Sequence, residues 1–330
     1  MSGVNGLRIG VAGAGHFGRY HALKVAASDR AVLSGVFDPD LDRARAVGWE
    51  AGAEAVALDT LIAASDALIV AAPAEVHFDI AAAALIAGVH VLVEKPIAAT
   101  LEQADALDRL ARARGLVLQV GHLERFSAAH GALSGRMGRP LYIDATRIAP
   151  FKPRGTDVSV ILDLMIHDLD LILALVDSPI ESMDAVGAAV ASAHEDIANA
   201  RIRFESGAVA TITASRISAR TERRMRLFAE DGYMAVDFAN RRLSLVSRAL
   251  HAEGRGQPVP GVDGFAIEEF SWEDHDALAA EHAAFVASVL DGAPVLVDAV
   301  AGRRALAAAL QVSRAMNEAH TRMRLSGLIQ

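Results

Sequence analysis

The sequence predicts an α/β chain of two domains: a doubly wound parallel sheet over residues 1–123, then an α+β domain with a large, open, mostly antiparallel sheet over residues 124–330. Three observations carry this. The chain has 330 residues, and domains average about 150. Up to residue 120, short β-rich apolar runs alternate with Ala/Leu-rich segments of helical spacing. After Leu123 the texture changes to successive strand-like runs separated by glycine turns.

The first half contains β-rich runs at 8–12, 32–37, 67–71, 90–93 and 116–120, with helical spacing over 17–28, 41–47, 76–86 and 101–114. Such alternation means parallel strands joined by right-handed crossovers, because a tight hairpin cannot join parallel neighbours. The strands carry few charges, as expected where helices cover both faces. In the second half a helix is expected at 125–133 and a strand at 141–148, opened by Gly138–Pro140. A strongly apolar helix follows at 161–175, then strands at 200–204, 208–214, 224–229 and 233–238. Gly207 and the Asp231-Gly232 pair are read as hairpin turns, residues 254–264 as a Gly/Pro-rich loop, and 276–290 and 300–317 as closing helices. An open sheet needs cover, which predicts a homodimer or homotetramer formed through it.

Hydrophobic residues make up 52% and charged residues 22%, enough apolar mass for a large core. The net charge of −9 argues against general nucleic-acid binding, which needs a basic surface. There is no cysteine, which removes disulfides, thiolate metal sites and a cysteine nucleophile. The longest stretch free of Asp, Glu, Lys and Arg is the 14 residues from Ile80 to Val93, short of the roughly 18 that a membrane helix needs. The N-terminus shows no basic start followed by a long apolar run, so a cytoplasmic protein is expected.

The first run leads into Gly13-Ala14-Gly15-His16-Phe17-Gly18 and then a helix. The first glycine permits a tight turn, the second lets backbone approach a pyrophosphate, and the third lets helix and strand pack closely. The helix N-terminus then receives the anion. Asp38 ends the second run, 20 residues beyond Gly18, where a carboxylate accepts hydrogen bonds from both ribose hydroxyls and repels a 2′-phosphate. With Pro39 and Asp40 following it, NAD is expected in preference to NADP. Ala72 and Pro73 close the third run at the edge where open α/β sheets bind ligands. They are expected to line the cofactor. His77, four residues on, reads equally as a surface histidine at a helix start or as a cofactor contact.

The run 90–93 ends in Glu94-Lys95-Pro96, at the same edge. A lysine there suits hydrogen bonding to a substrate oxygen that gains negative charge. The apolar helix after Val160 carries Asp163, His167 and Asp170 at i, i+4 and i+7, one narrow stripe, with Asp168 on its flank. The stripe reads as a polar face turned to water, or as a histidine made more basic by a carboxylate one turn away and fit to act as a general base.

In this order and spacing, Gly13–Gly18, Glu94-Lys95-Pro96 and Asp163-x-x-x-His167 resemble the Gfo/Idh/MocA family of sugar and polyol dehydrogenases. The resemblance spans essentially the whole chain and implies a Rossmann domain followed by an α/β domain. It implies hydride-transfer chemistry at Lys95, Asp163 and His167, with Glu94 and Lys95 also beside the cofactor. Two further stretches, 121–126 (Gly-His-Leu-Glu-Arg-Phe) and 151–157 (Phe-Lys-Pro-Arg-Gly-Thr-Asp), resemble the nucleotide-sugar members, the UDP-N-acetylglucosamine 3-dehydrogenases. Those supply a 3-keto sugar to an aminotransferase in diamino-sugar and lipid A-type synthesis. One departure is Ser127-Ala128, where such relatives continue Asn-Pro. The resemblance implies NAD on the first domain and the sugar between the domains. His167 would take the C3 hydroxyl proton while hydride leaves for the nicotinamide, Lys95 would hold the reacting oxygen, and Asp163 would orient His167. Arg125, Lys152 and Arg154 are candidate donors to a diphosphate and read equally as surface cations. Arg216, Arg220, Arg223, Arg224 and Arg226 read as a solvated hairpin or interface edge. No metal site is expected, for the 12 histidines show no ligand spacing. The alternatives are a dehydrogenase of a free sugar or inositol, and a non-enzymatic protein that senses a dinucleotide.

Overall fold

The computed structural model describes residues 6–133, 136–152, 158–273 and 275–328. The chain forms two compact units. One is Met1–Phe126 with Asp276–Leu306; the other is Ser127–His275 with Ala307–Gln330. The contiguous division at 123/124 is thereby corrected: a stretch near the C-terminus returns to the first unit. The reason is apolar packing. Phe285 and Val286 of that stretch are buried in one cluster with Leu7, Ile9, Val11, Val25 and Leu92.

The first unit runs β1 (Leu7–Ala12), α1 (His16–Ala26), β2 (Ala31–Phe37), α2 (Leu41–Ala51), α3 (Leu58–Ala64), β3 (Ala67–Val70), α4 (His77–Ile86), β4 (His90–Glu94), α5 (Leu101–Arg114) and β5 (Leu118–Gly121). All five strands are parallel, in the order β2-β1-β3-β4-β5. The order reverses between β1 and β3, so a crevice opens beyond their carboxyl ends. β3 and the middle of β4 are wholly buried, which explains their continuous apolar runs. Local chemistry sets the helix ends. Asp40 caps α2 by accepting the Arg43 amide, and Gly52 closes it in the left-handed region. Thr100 and Gln103 form a capping box on α5, and Gly115 ends it. α3 is a finding beyond the sequence reading. At seven residues it is too short to show periodicity, yet it buries Leu61 and Ile62. Both sheet edges are covered by single bridges, Val36 to Ala55 and Gln119 to Asp298, which blunts edge pairing.

The second unit begins with α6 (Ala128–Leu133), after a 3-10 turn at Leu123–Phe126, and β6 (Tyr142–Ile148). A π-helical turn at Ile161–Met165 leads into α7 (Ile166–Val176). Then come β7 (Ile180–Ala188), β8 (Ile197–Phe204), β9 (Val209–Ser215), β10 (Glu222–Ala229), β11 (Gly232–Asp237), β12 (Arg242–Ser247), α8 (Arg248–Ala252), β13 (Gln257–Pro258) and β14 (Ala266–Ser271). α9 (Ala277–Leu290) belongs to the first unit, and α10 (Ala299–Leu325) begins there and ends in the second. The nine strands follow the order β13-β14-β12-β11-β10-β6-β9-β8-β7. Only β6 and β9 run parallel; every other pair is antiparallel. Strict alternation of buried and part-exposed residues along β6 and β12 gives the sheet one core face.

β7, β12, β13 and β14 are not among the strands that the sequence pattern names. β7 is an edge strand with one buried residue, and β14 carries Glu268 and Glu269, so neither shows a clear apolar alternation. The β10–β11 turn is also corrected. Ala229 pairs with Gly232, so Glu230 and Asp231 make the turn and Gly232 opens β11. Glycine is needed there because a Cβ would lie 2.3 Å from the Val246 carbonyl oxygen of β12. No helix among the described residues is long and apolar enough to cross a membrane.

Candidate active site

In the first unit the carboxyl ends of β1, β2, β3 and β4 gather most of the expected cofactor residues. Gly13 has φ of +104°, a conformation that costs glycine little. A Cβ on it would lie 2.5 Å from the Ala71 carbonyl oxygen, so the turns after β1 and β3 touch at the point where strand order reverses. A Cβ on Gly18 would lie 1.8 Å from the Gly13 carbonyl oxygen. Gly15 differs: a Cβ there would meet nothing within 4 Å, and it precedes α1, whose first turn has no side-chain cap. Open space over uncapped amides suits a pyrophosphate. His16 and Phe17 follow, both exposed.

Asp38 is buried and fixed by two amides, Ala14 N–H to Oδ2 at 2.7 Å and Asp40 N–H to Oδ1 at 2.9 Å. The Arg43 guanidinium lies 3.7 Å from Oδ1, a cation that α2 brings back over Asp38 from beyond Pro39 and Asp40. His77 is not a surface histidine. It is buried, with Nδ1 2.8 Å from the Pro96 carbonyl oxygen and Nε2 2.7 Å from that of Ala72. Its ring is thus a strut between the turn after β3, which ends in Ala72 and exposed Pro73, and the turn after β4. Lys95, half-buried, precedes Pro96 through a cis peptide bond.

Glu94 ends β4. Its Oε1 lies 2.9 Å from His21 Nε2, and its Oε2 accepts the Lys95 amide at 3.2 Å. Burial pushes the Glu94 carboxyl up, but the hydrogen bond and charge of His21 and the charge of Lys95 outweigh it and hold the carboxyl below the usual glutamate range. Arg125 sits half-buried in the 3-10 turn after β5.

The second unit carries Asp163 and His167, both half-buried. Asp163 lies inside the π-helical turn and His167 on the first turn of α7, so the simple α-helical stripe is interrupted. π-turns often occur at functional sites. Asp170 is buried rather than turned to water. Asp168, expected on the flank, is buried too. It accepts from Arg147 of β6 in a two-pronged pair, Nε to Oδ2 at 2.8 Å and Nη2 to Oδ1 at 3.0 Å. That pair pins the start of α7 to the sheet. Arg216 is likewise buried on Asp196, whereas Arg220, Arg224 and Arg226 are exposed cations on acidic neighbours. Lys152 is exposed. Arg154 lies outside the described residues.

The glycine geometry gives a contrast that binding and melting experiments read. Gly18→Ala should unfold the turn or the unit, because the clash is with backbone. Gly15→Val should shift stability by no more than about 0.5 kcal/mol, as at an open surface site, yet abolish NAD binding by filling the cradle. Equal melting points and equal NAD affinity for wild type and Gly15→Val would show that the cofactor lies elsewhere.

Residues 7–122 match the oxidoreductase family model described as an NAD-binding Rossmann fold. Residues 129–235 match the GFO/IDH/MocA C-terminal domain. The chain belongs to the GFO/IDH/MocA oxidoreductase family. It is 44% identical over 308 residues to the UDP-N-acetylglucosamine 3-dehydrogenase of Acidithiobacillus ferrooxidans, covering 93% of this chain and 96% of that one. The solved structure of that enzyme superposes with a TM-score of 0.87 over 94% of this chain and 97% of the other, at 43% identity. The myo-inositol 2-dehydrogenase of Thermotoga maritima is 26% identical over 332 residues, covering 94% and 97% of the two chains.

Proposed function

We propose that the protein is an NAD-dependent dehydrogenase that oxidises the C3 hydroxyl of UDP-N-acetylglucosamine to the 3-keto sugar. The observation that supports this most is the 44% identity to an enzyme of that name, sustained over nearly the full length of both chains. The product would feed an aminotransferase in diamino-sugar synthesis.

The residues fit the cofactor: an open cradle at Gly15, close turns at Gly13 and Gly18, and a fixed carboxylate at Asp38. NAD, when bound, supplies the acceptor for the hydride. His167 accepts the hydroxyl proton as the C–H bond breaks and the carbonyl forms. Asp163 orients His167. The Lys95 ammonium donates to the reacting oxygen and stabilises its developing charge. Arg125 and Lys152, with Arg154, are the cations we assign to the diphosphate. Asp38 favours the ribose diol of NAD over a 2′-phosphate.

Absorbance of NADH tests the reading. Protein, NAD and UDP-N-acetylglucosamine should produce NADH, with slower turnover when NADP replaces NAD. Turnover of myo-inositol alone would establish the free-polyol reading instead, which the T. maritima relative supports at lower identity. NAD binding with no turnover of either substrate would establish a sensor.

We also propose a homodimer or homotetramer through the outer face of the nine-stranded sheet. On that face Tyr142, Phe228 and Tyr233 pack ring against ring, with centroids 5.6 and 4.9 Å apart. Light scattering reads the mass directly. A cytoplasmic location follows from this reading, since NAD and a UDP-sugar do not cross membranes unaided.

A further inference from the structure

Behind Lys95 the first unit buries a polar cluster that the chemistry above does not use. His21 comes from α1, Glu94 from β4, Gln119 from β5, and Glu281 and His282 from α9. His21 and Glu281 are both 0% exposed. One ligand atom each from His21, Glu94 and Glu281 lie within 4.8 Å of one another, a span that a single bridging water covers. The groups around it divide into satisfied and unsatisfied ones. His21 has both ring nitrogens engaged, Nε2 with Glu94 and Nδ1 with His282 Nε2 at 2.7 Å. Glu94 has both oxygens engaged, with His21 and the Lys95 amide. Glu281 has neither: both its carboxyl oxygens are buried without a hydrogen-bond partner.

We propose that Glu281 is a positioning residue held as the neutral acid, which donates toward the Glu94 carboxylate through one bridging water and so fixes the turn that presents Lys95. The role rests on the reading of Lys95 as the group that meets the substrate oxygen.

Two carboxylates cannot both stay charged in a dry site without a counter-charge for each. His21 and Lys95 serve Glu94, as the lowered Glu94 carboxyl reflects. His21 also lies within 4.8 Å of Glu281, but its two ring nitrogens go to Glu94 and His282, and the Glu281 carboxyl makes no hydrogen bond among the described residues. Burial and the Glu94 charge push its carboxyl well above the usual range. His282 offers no cation, because burial, then the charge of His21, push it down to about 3, and Lys24 adds to this against the opposing pull of Asp276. Lys24 itself is paired with Asp276 at the surface. Neighbouring acids with opposite shifts form one coupled pair that retains one proton. A metal ion fits less well, because both His21 nitrogens are already spoken for.

Packing converts that proton into position. Gln119 Nε2 donates to the Glu281 carbonyl at 3.3 Å, tying α9 to β5. Gly121 leaves room for the Glu94 side chain across β5; a Cβ there would lie 3.0 Å from Glu94 Cδ. Glu94 is therefore confined between β5, His21 and Glu281, and its remaining oxygen holds the Lys95 backbone.

The test uses Glu281→Gln and Glu281→Leu in the full chain. Gln keeps a neutral donor and should retain kcat within about twofold, whereas Leu should lower kcat about 10- to 100-fold, the cost of a small misplacement of a reacting group. The Kd for NAD should stay unchanged in both. Infrared difference spectra should show a protonated-acid carbonyl band at neutral pH in the wild type that Glu281→Gln removes. Wild-type kcat in Glu281→Leu, or a Gln variant as slow as the Leu variant, would overturn the proposal. So would absence of the acid band, or one equivalent of bound metal that Glu281→Gln loses. If Glu281→Leu does not fold, the Gln variant and the band decide. The band needs no sugar, so a protein that shows it yet turns over no UDP-sugar contradicts the proposed substrate and not the neutral acid.

Discussion

Replacing His167 by Asn lowers kcat roughly 100- to 10,000-fold, the range that a general base contributes, and leaves the Kd for NAD nearly unchanged. Asn keeps a polar side chain of similar size but cannot take the hydroxyl proton. Lys95→Met should act in the same direction, since it keeps the aliphatic stem and loses the ammonium that we propose stabilises the developing oxyanion. The contrast with cofactor binding is the informative part. The cradle, at Gly13, Gly15, Gly18 and Asp38, lies in the first unit, while His167 stands on α7 of the second. A residue that acts only in the transition state lowers kcat and kcat/KM together and spares binding. Steady-state NADH formation and calorimetric titration with NAD measure the two quantities separately. Parallel losses of turnover and NAD affinity in either variant would remove the residue from the chemistry assigned to it.

Replacing Asp196 by Ala destabilises the second unit by about 3–5 kcal/mol, the cost of leaving one member of a buried ion pair alone. Asp196 is 0% exposed and Arg216 is 4% exposed. Oδ2 of Asp196 accepts the amides of Val190, Ala191 and Ser192 at 2.8, 2.6 and 2.9 Å, and Oδ1 accepts from Ser192 Oγ and Arg216 Nε, each at 2.8 Å. Burial opposes the charge, yet these hydrogen bonds outweigh it and hold the carboxyl well below the ordinary aspartate range. The pH dependence follows from that direction. The folded-state value is depressed, so the stabilisation is fully present above the unfolded value of about 3.9 and is lost as pH falls through the folded value. Urea midpoints for wild type and Asp196→Ala should differ most at neutral pH and converge below about pH 4. A gap that does not narrow in acid would mean that the carboxylate charge is not what is lost. The site also bears on function. The Glu195 carbonyl accepts the Val160 amide at 2.9 Å, next to the π-helical turn that carries Asp163, so the variant should loosen that turn as well.

The parts of the site that were legible are those made within a few residues. The glycine turn, the Glu94-Lys95-Pro96 end of β4 and the Asp163–His167 spacing are each contained in one short segment, and local geometry gives their glycine, strand-end and helical positions meaning. Among the elements that escaped, α3 is too short to show a period, and β7 and β14 lie at or near a sheet edge; β12 alternates as clearly as β6 and escaped all the same. Charged residues were misplaced for another reason. Asp168, Asp170 and Arg216 look like surface groups in a sequence because burial of a charge depends on a partner, and for Asp168 and Arg216 the partners are 21 and 20 residues away.

Taken alone, the order of residues determined the two kinds of sheet, the binding edge at the carboxyl ends of the parallel strands and the chemical character of the cofactor turn. Each follows from hydrophobic period, turn chemistry and backbone sterics, which act over a handful of neighbours. Only the tertiary structure decided that α9 belongs to the first unit, that His77 is a strut between two turns, and that His21, Glu94 and Glu281 meet. His21 and His282 stand 261 positions apart yet touch at 2.7 Å. Desolvation and electrostatics depend on distance through space, and distance along the chain does not encode it.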